Sequence, residues 1–139
     1  MDRTPFSLQD TINHVRDFHD AFGIVNAESP MGTISAADVQ LRHDLMREEN
    51  EEYLEAAAKG DLVEVADALG DMLYILCGTI LKHGLQHKIE DVFNEIQRSN
   101  MSKLGTDGKP IYREDGKVLK GERYFRPNIA AILQEPQER

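Results

Sequence analysis

Two sets of carboxylates dominate the chemistry available to this chain. The first lies in Glu48-Glu49-Asn50-Glu51-Glu52-Tyr53-Leu54-Glu55, the second is Glu64, Asp67 and Asp71 within the apolar stretch 62–76. At about 100° per residue, spacings of three and four put Glu64, Asp67 and Asp71 within an arc of about 60° on one helix face. Almost every other position there is apolar or glycine, so the pattern predicts a helix with little solvent-facing surface. Carboxylates left unpaired in such a setting are costly and demand a neutralising partner. In the first set only Glu55 and Lys59 form an obvious i, i+4 pair, so the remaining acids repel one another. Two facing helices offering carboxylates to one space make an all-oxygen site for a hard cation. Mg²⁺, or alternatively Mn²⁺, is expected, with two or more ions per site. No cysteine pair and no Glu-x-x-His pattern of the kind diiron bundles use accompanies these acids. His14, His19, His43, His83 and His87 are expected at the surface or at helix ends. Paired hard cations polarise phosphoryl oxygens and activate water, which points to phosphoanhydride hydrolysis.

Four helices are expected to position these groups. The first runs from Ser7, where Ser7 and Asp10 resemble a capping box, to Phe22. Its apolar face is Leu8, Ile12, Val15, Phe18 and Phe22; for the two phenylalanines core packing is expected ahead of a ligand contact. Residues 24–34, containing Pro30 and Gly32, read as a loop. The second helix extends from Ser35 to Lys59, and the third from Asp61 to about His83. Gly60 and Asp61 leave so short a joint that these two helices must run antiparallel, bringing Glu49 and Glu52 back toward Glu64, Asp67 and Asp71. Gly70 and Gly78 weaken the third helix, and close approach of a partner helix is the expected reason. A fourth helix spans 87–104, with Ile89, Val92, Phe93, Ile96 and Met101 apolar. Asp115-Gly116, between short β-prone segments, signals a type I′ hairpin, and the two Asp-Gly-Lys triplets read as two turns. The fold class is therefore all-α: a helical core over 7–104 and a hairpin extension over 105–126 in one domain of 1–126. Residues 127–139 follow as a partly disordered tail.

With 139 residues, 40% apolar and 29% charged content, the chain has room for one modest core. No apolar run is long enough for a membrane span, and the N-terminus lacks a secretory pattern. The lone cysteine, Cys77, falls in the apolar helix and reads as a buried core residue. A cytoplasmic protein is expected. The net charge of −9 argues against general nucleic-acid binding, but its distribution is uneven. Residues 98–126 hold eight basic and four acidic residues, a local +4, against −13 elsewhere. An acidic body followed by a basic extension suits an anionic ligand held through metal.

The order Glu48-Glu49-x-x-Glu52 followed by Glu64-x-x-Asp67 resembles the EExxE…ExxD signature of the MazG-like all-α nucleoside triphosphate pyrophosphohydrolases. That superfamily also contains all-α dUTPases, dCTP pyrophosphatases and phosphoribosyl-ATP pyrophosphohydrolase. The resemblance covers about residues 10–126 and takes in Phe18-His19-x-x-Phe22-Gly23, Asp71-Met72-Leu73-Tyr74 and the segment Arg98–Leu104. It departs from the pattern at Ala68, where many members carry the acid that pairs with the position of Asp71. Glu64, Asp67 and Asp71 all stand as candidate ligands, and the sequence does not choose between them. The resemblance implies a four-helix MazG-like bundle assembled as a homodimer or homotetramer. It implies Mg²⁺ held by Glu49, Glu52, Glu64, Asp67 and Asp71, with a catalytic group of Glu48, Glu49 and Glu52. In that role Glu48 orients water or holds an extra ion. The implied reaction is attack of water at the α-phosphorus of a (deoxy)nucleoside triphosphate, releasing pyrophosphate. Asn100 is a candidate for sugar or base, and Lys103, Lys109, Arg113, Lys117 and Lys120 for phosphate. Phosphoribosyl-ATP hydrolysis and a non-catalytic acidic interaction module are the alternatives.

Overall fold

The computed structural model describes residues 6–136. It is all-α apart from one two-stranded hairpin, as the periodicity predicts, and it divides into two compact units after Gln86.

The first unit contains α1 (Leu8–Ala21), α2 (Ala36–Lys59) and α3 (Leu62–Lys82). Each start is set by a side-chain cap. Ser7 and Asp10 form the expected capping box, with the Asp10 N–H donating to Ser7 Oγ (3.2 Å) and the Ser7 N–H to Asp10 Oδ2 (2.9 Å). Ser35 Oγ accepts from Asp38 N (3.1 Å), and Asp61 Oδ1 from Glu64 N (3.1 Å). The joint between α2 and α3 is a Schellman closure. Gly60 is left-handed at φ 66°, and the Asp61 N–H reaches back to Ala56 O at 3.1 Å. α3 packs against both α1 and α2. Their shared core is Ile12 and Val15 from α1, Ala56 from α2, and Ala68, Cys77 and Leu81 from α3. The loop after α1 is laced to the end of α3 by Ala27 N–H to Leu81 O (3.1 Å) and Met31 N–H to His83 O (2.8 Å).

Two expectations for this unit fail. Phe18 and Phe22 do not pack in the core; they are 40% and 70% exposed, with ring centroids 4.4 Å apart. Tyr74 of α3 meets Phe18 edge-on at 5.7 Å. The α1 face that turns to α3 is centred on Ile12, Val15 and His19, one step round the helix from the phenylalanines. His19 is at a helix end, in the last turn of α1, as expected, and it is also buried, 2% exposed. Nor is α3 enclosed: Leu62 and Val63 are 78% and 79% exposed, and Leu69, Leu73 and Leu76 also face outward. A helix contacted along two sides still leaves its third side open.

The second unit contains α4 (Ile89–Met101), the hairpin β1 (Ile111–Tyr112) with β2 (Val118–Leu119), and α5 (Ile129–Gln134). α4 is shorter at both ends than expected, and α5 occupies part of the segment read as a tail; residues 137–139 of that tail lie outside the described residues. The buried side of α4 is polar. Glu95 Oε2 accepts from Asn128 N (2.7 Å) at the start of α5, and Ser99 Oγ donates to Phe125 O (2.9 Å). Phe93 and Met101 stay exposed because these hydrogen bonds, not the apolar stripe, determine which face meets the returning chain. The hairpin also differs in detail. Tyr112 pairs with Val118 and the Arg113 N–H reaches Lys117 O (2.8 Å), so Glu114-Asp115-Gly116 form a three-residue link. Gly116 N–H bonds Arg113 O (2.9 Å), and only Gly116 takes positive φ (85°), which is a turn with a glycine bulge, not type I′. No described helix is long and apolar enough to cross a membrane.

Candidate metal centre

The Gly60–Asp61 joint folds α3 back along α2, so residues at growing distance from the joint face one another in pairs. Glu49 and Glu52, one turn apart on α2, meet Asp71 on α3. Each offers a carboxylate oxygen, and the three lie within 4.8 Å of one another. Glu52 is exposed, while Glu49 and Asp71 are half-buried. Glu49 Oε2 is buried with no hydrogen-bond partner. Burial raises the Glu49 carboxyl from 4.5 to about 7, helped by its hydrogen bond to Glu52 and by the charges of Glu52, Asp71 and Asp67.

A buried acceptor with no donor, pressed among like charges, is a costly arrangement in the isolated chain. A divalent cation held by Glu49, Glu52 and Asp71 would supply the missing partner for Glu49 Oε2, offset the repulsion and favour the ionised form of Glu49. All three donors are carboxylate oxygens and Glu52 is exposed, a set whose chemistry fits Mg²⁺ or Mn²⁺.

Beside this triad, Glu52, Glu55, Lys59, Glu64, Asp67 and Ala68 line an open groove of about 320 Å³. The structure therefore distributes the sequence-derived acids unequally. Asp71 joins Glu49 and Glu52 in the triad, whereas Glu64 and Asp67 are exposed and line the adjoining groove. Glu48 is exposed and outside both sets of residues. Lys59 is the residue that sequence reasoning missed. Taken there as the helical partner of Glu55, it is the sole cation lining the acidic groove. Its signal was its place in the last turn of α2, directly before the joint that overlays the two acidic sets.

The six candidate substrate contacts belong to the second unit. Asn100 is exposed on α4, and Lys103, just past its end, accepts from Gly121 N through its carbonyl (2.9 Å). Lys109 and Lys117 are exposed. Arg113 is engaged with Asp115, its Nε donating to Asp115 Oδ1 at 3.0 Å, and this pairing holds the turn. Lys120 Nζ sits 4.7 Å above the Tyr124 ring.

Residues 15–100 match the family model of phosphoribosyl-ATP pyrophosphohydrolase. Among solved structures, the chain is similar to a protein from Exiguobacterium sp. 255-15 provisionally described as an NTP pyrophosphohydrolase. The two are 27% identical over 94% of this chain and 95% of that one, with a TM-score of 0.47. No curated protein matches by sequence. The family match runs from Val15 on α1 to Asn100 on α4, and so takes in all of α2 and α3 with both acidic sets. On that extent the chain belongs to the phosphoribosyl-ATP pyrophosphohydrolase family, and it is a pyrophosphohydrolase-type hydrolase with an all-α fold.

Proposed function

We propose that this chain is a Mg²⁺-dependent hydrolase of (deoxy)nucleoside triphosphates, releasing nucleoside monophosphate and pyrophosphate. Its biological task is then sanitation or shaping of the nucleotide pool. The observation that carries this reading is the orphaned, buried Oε2 of Glu49 within 4.8 Å of Glu52 and Asp71. Glu49, Glu52 and Asp71 hold the ion, and Glu64 and Asp67 extend the site along the groove for a second one. A divalent ion there supplies charge neutralisation for the triphosphate and a lowered pKa for attacking water. The chain's own residues do the rest. Exposed Glu48 or Glu52 orients water toward the α-phosphorus, and Lys59 compensates charge on the departing pyrophosphate. In the second unit, Lys103, Lys109, Lys117 and Lys120 stand as candidates for phosphate and Asn100 for sugar or base. Arg113 serves only after exchanging Asp115 for phosphate.

The exposed rings of Phe18, Phe22 and Tyr74 support a nucleotide ligand. Tyr74 lies three residues from Asp71 on the same helix, so a base resting on these rings keeps its phosphates within reach of the triad. A homodimer or homotetramer fits the open apolar side of α3. One specific observation favours a second substrate: the family model that matches is that of phosphoribosyl-ATP hydrolysis. Both are phosphoanhydride cleavages on an adenine-type or other nucleotide, and the same acids serve either.

The test is to incubate the protein with each common nucleoside triphosphate and with phosphoribosyl-ATP, with Mg²⁺ and with chelator. Chelator-sensitive release of pyrophosphate together with a monophosphate is expected, and the substrate with the highest kcat/KM decides between the two. Metal binding without any turnover would leave an acidic interaction module instead.

A further inference from the structure

Two turns before Glu49 on α2, and one to two turns after Asp71 on α3, lies a second polar cluster in which no buried side-chain nitrogen or oxygen is orphaned. Arg42 is buried, although its guanidinium is not ion-paired to any described carboxylate within 4 Å. Its Nε donates to Thr79 Oγ1 (3.1 Å) and its Nη2 to the Ile75 carbonyl (2.9 Å). Thr79 Oγ1 donates to the same carbonyl at 2.9 Å. The guanidinium can lie against α3 because residue 78 has no side chain. A Cβ at Gly78 would stand 2.5 Å from Arg42 Nη2 and 3.0 Å from His19 Nε2. His19 backs the arrangement from α1, its Nδ1 donating to Asn26 Oδ1 at 2.6 Å.

Burying a guanidinium against neutral acceptors is expensive, and an aliphatic side chain would fill the same space at lower cost. What the guanidinium adds is direction. Its planar fork reaches an adjacent pair of acceptors on α3, the Thr79 hydroxyl and the Ile75 carbonyl 2.9 Å apart, and a one-turn slip of the two helices would carry that hydroxyl and the Gly78 notch away from it. The offset at which they meet is the one that places Glu49 and Glu52 opposite Asp71. A slip of one turn is about 5.4 Å. The whole triad fits within 4.8 Å, so such a slip would pull it apart.

We infer that Arg42 is a positioning residue for the metal centre: seated on Gly78 and backed by His19, it sets the α2–α3 register at which Glu49, Glu52 and Asp71 converge. The inference rests on reading that triad as a metal site, and the experiment separates the two. Mn²⁺ is titrated calorimetrically into the full-length wild type, Arg42→Lys and Thr79→Val, and the Tm of each is recorded. The lysine keeps the charge but loses the fork, and its Mn²⁺ affinity should fall about 10-fold, as for residues that support metal ligands from behind. Thr79→Val removes one acceptor at constant volume and should weaken binding by a smaller factor. A lowered Tm with unchanged Mn²⁺ affinity in both variants overturns the proposal, since that is the mark of a stabilising role alone. If Arg42→Lys fails to fold, unchanged affinity in Thr79→Val is sufficient to overturn it. Absence of Mn²⁺ binding by the wild type removes the triad reading and the positioning role together.

Discussion

The interface between α2 and α3 holds a cluster of anions at one level and a cation at another, and the two are solved in opposite ways. Around Arg42 no buried side-chain nitrogen or oxygen is orphaned: Nε and Nη2 each have an acceptor, a glycine makes room and a histidine stands behind. Around Glu49 the account stays open, with a buried oxygen lacking a donor and three further carboxylates raising its pKa. Both clusters are polar, partly buried and built from the same two helices. Satisfaction is what distinguishes them. A closed polar cluster holds structure, whereas an open one awaits a ligand.

The comparison breaks most sharply at Glu49. Replacing it with Gln removes a ligand charge and the repulsion together. Turnover should fall by at least about 100-fold, the scale for losing one electrostatic contributor to a reacting centre. The Tm of the metal-free protein at pH 8 should meanwhile rise, so the two readouts move in opposite directions. Loss of activity with a fall in Tm would mean that Glu49 is structural.

Proton linkage offers the next largest effect. The Glu49 carboxyl is raised from 4.5 to about 7, so between those values the folded chain binds a proton that the unfolded chain has released. Its contribution to the stability of the metal-free protein is therefore present below about pH 4.5 and is lost as pH rises through about 7. Metal binding must expel the same proton. Affinity should drop by up to about 10-fold per pH unit below 7 and level off above it, as calorimetry across pH 5.5–8.5 can check. An affinity flat across that range would contradict the shift.

The closed cluster is tested through its glycine. Gly78→Ala drives a methyl into the guanidinium at 2.5 Å and the imidazole at 3.0 Å, both pinned by hydrogen bonds. Denaturant unfolding should show a loss of about 1–3 kcal/mol. Gly70, two turns earlier on the same helix, has nothing within 4 Å of its would-be Cβ. There Ala should gain up to about 1 kcal/mol from helix propensity, the smallest effect expected. Equal responses at the two positions would erase the distinction drawn between them.

Much of this contrast was legible before any coordinates. Ser7, Ser35, Asp61 and Gly60 announced the helix ends, and the caps they form are local hydrogen bonds within a few residues. The tight joint and the three-and-four spacing of the acids were enough to bring α2 and α3 acids together. Which acids actually meet depended on axial offset and rotation, and those come from Arg42 and the packing around Ala56 and Ala68. So Asp71, not Glu64 or Asp67, completes the triad. The signal at Gly78 was real but its partner was misjudged: a guanidinium and an imidazole, not a bare helix backbone.

The helical class, the caps and the antiparallel pair can be read from local signals, because each depends on neighbours close along the chain. The outward turn of Phe18 and Phe22, the burial of His19 and the unpartnered Oε2 of Glu49 come from the packing of the helices against one another. Those outcomes depend on how three rods rotate about their axes, and a small rotation moves a side chain between core and surface without altering any local signal.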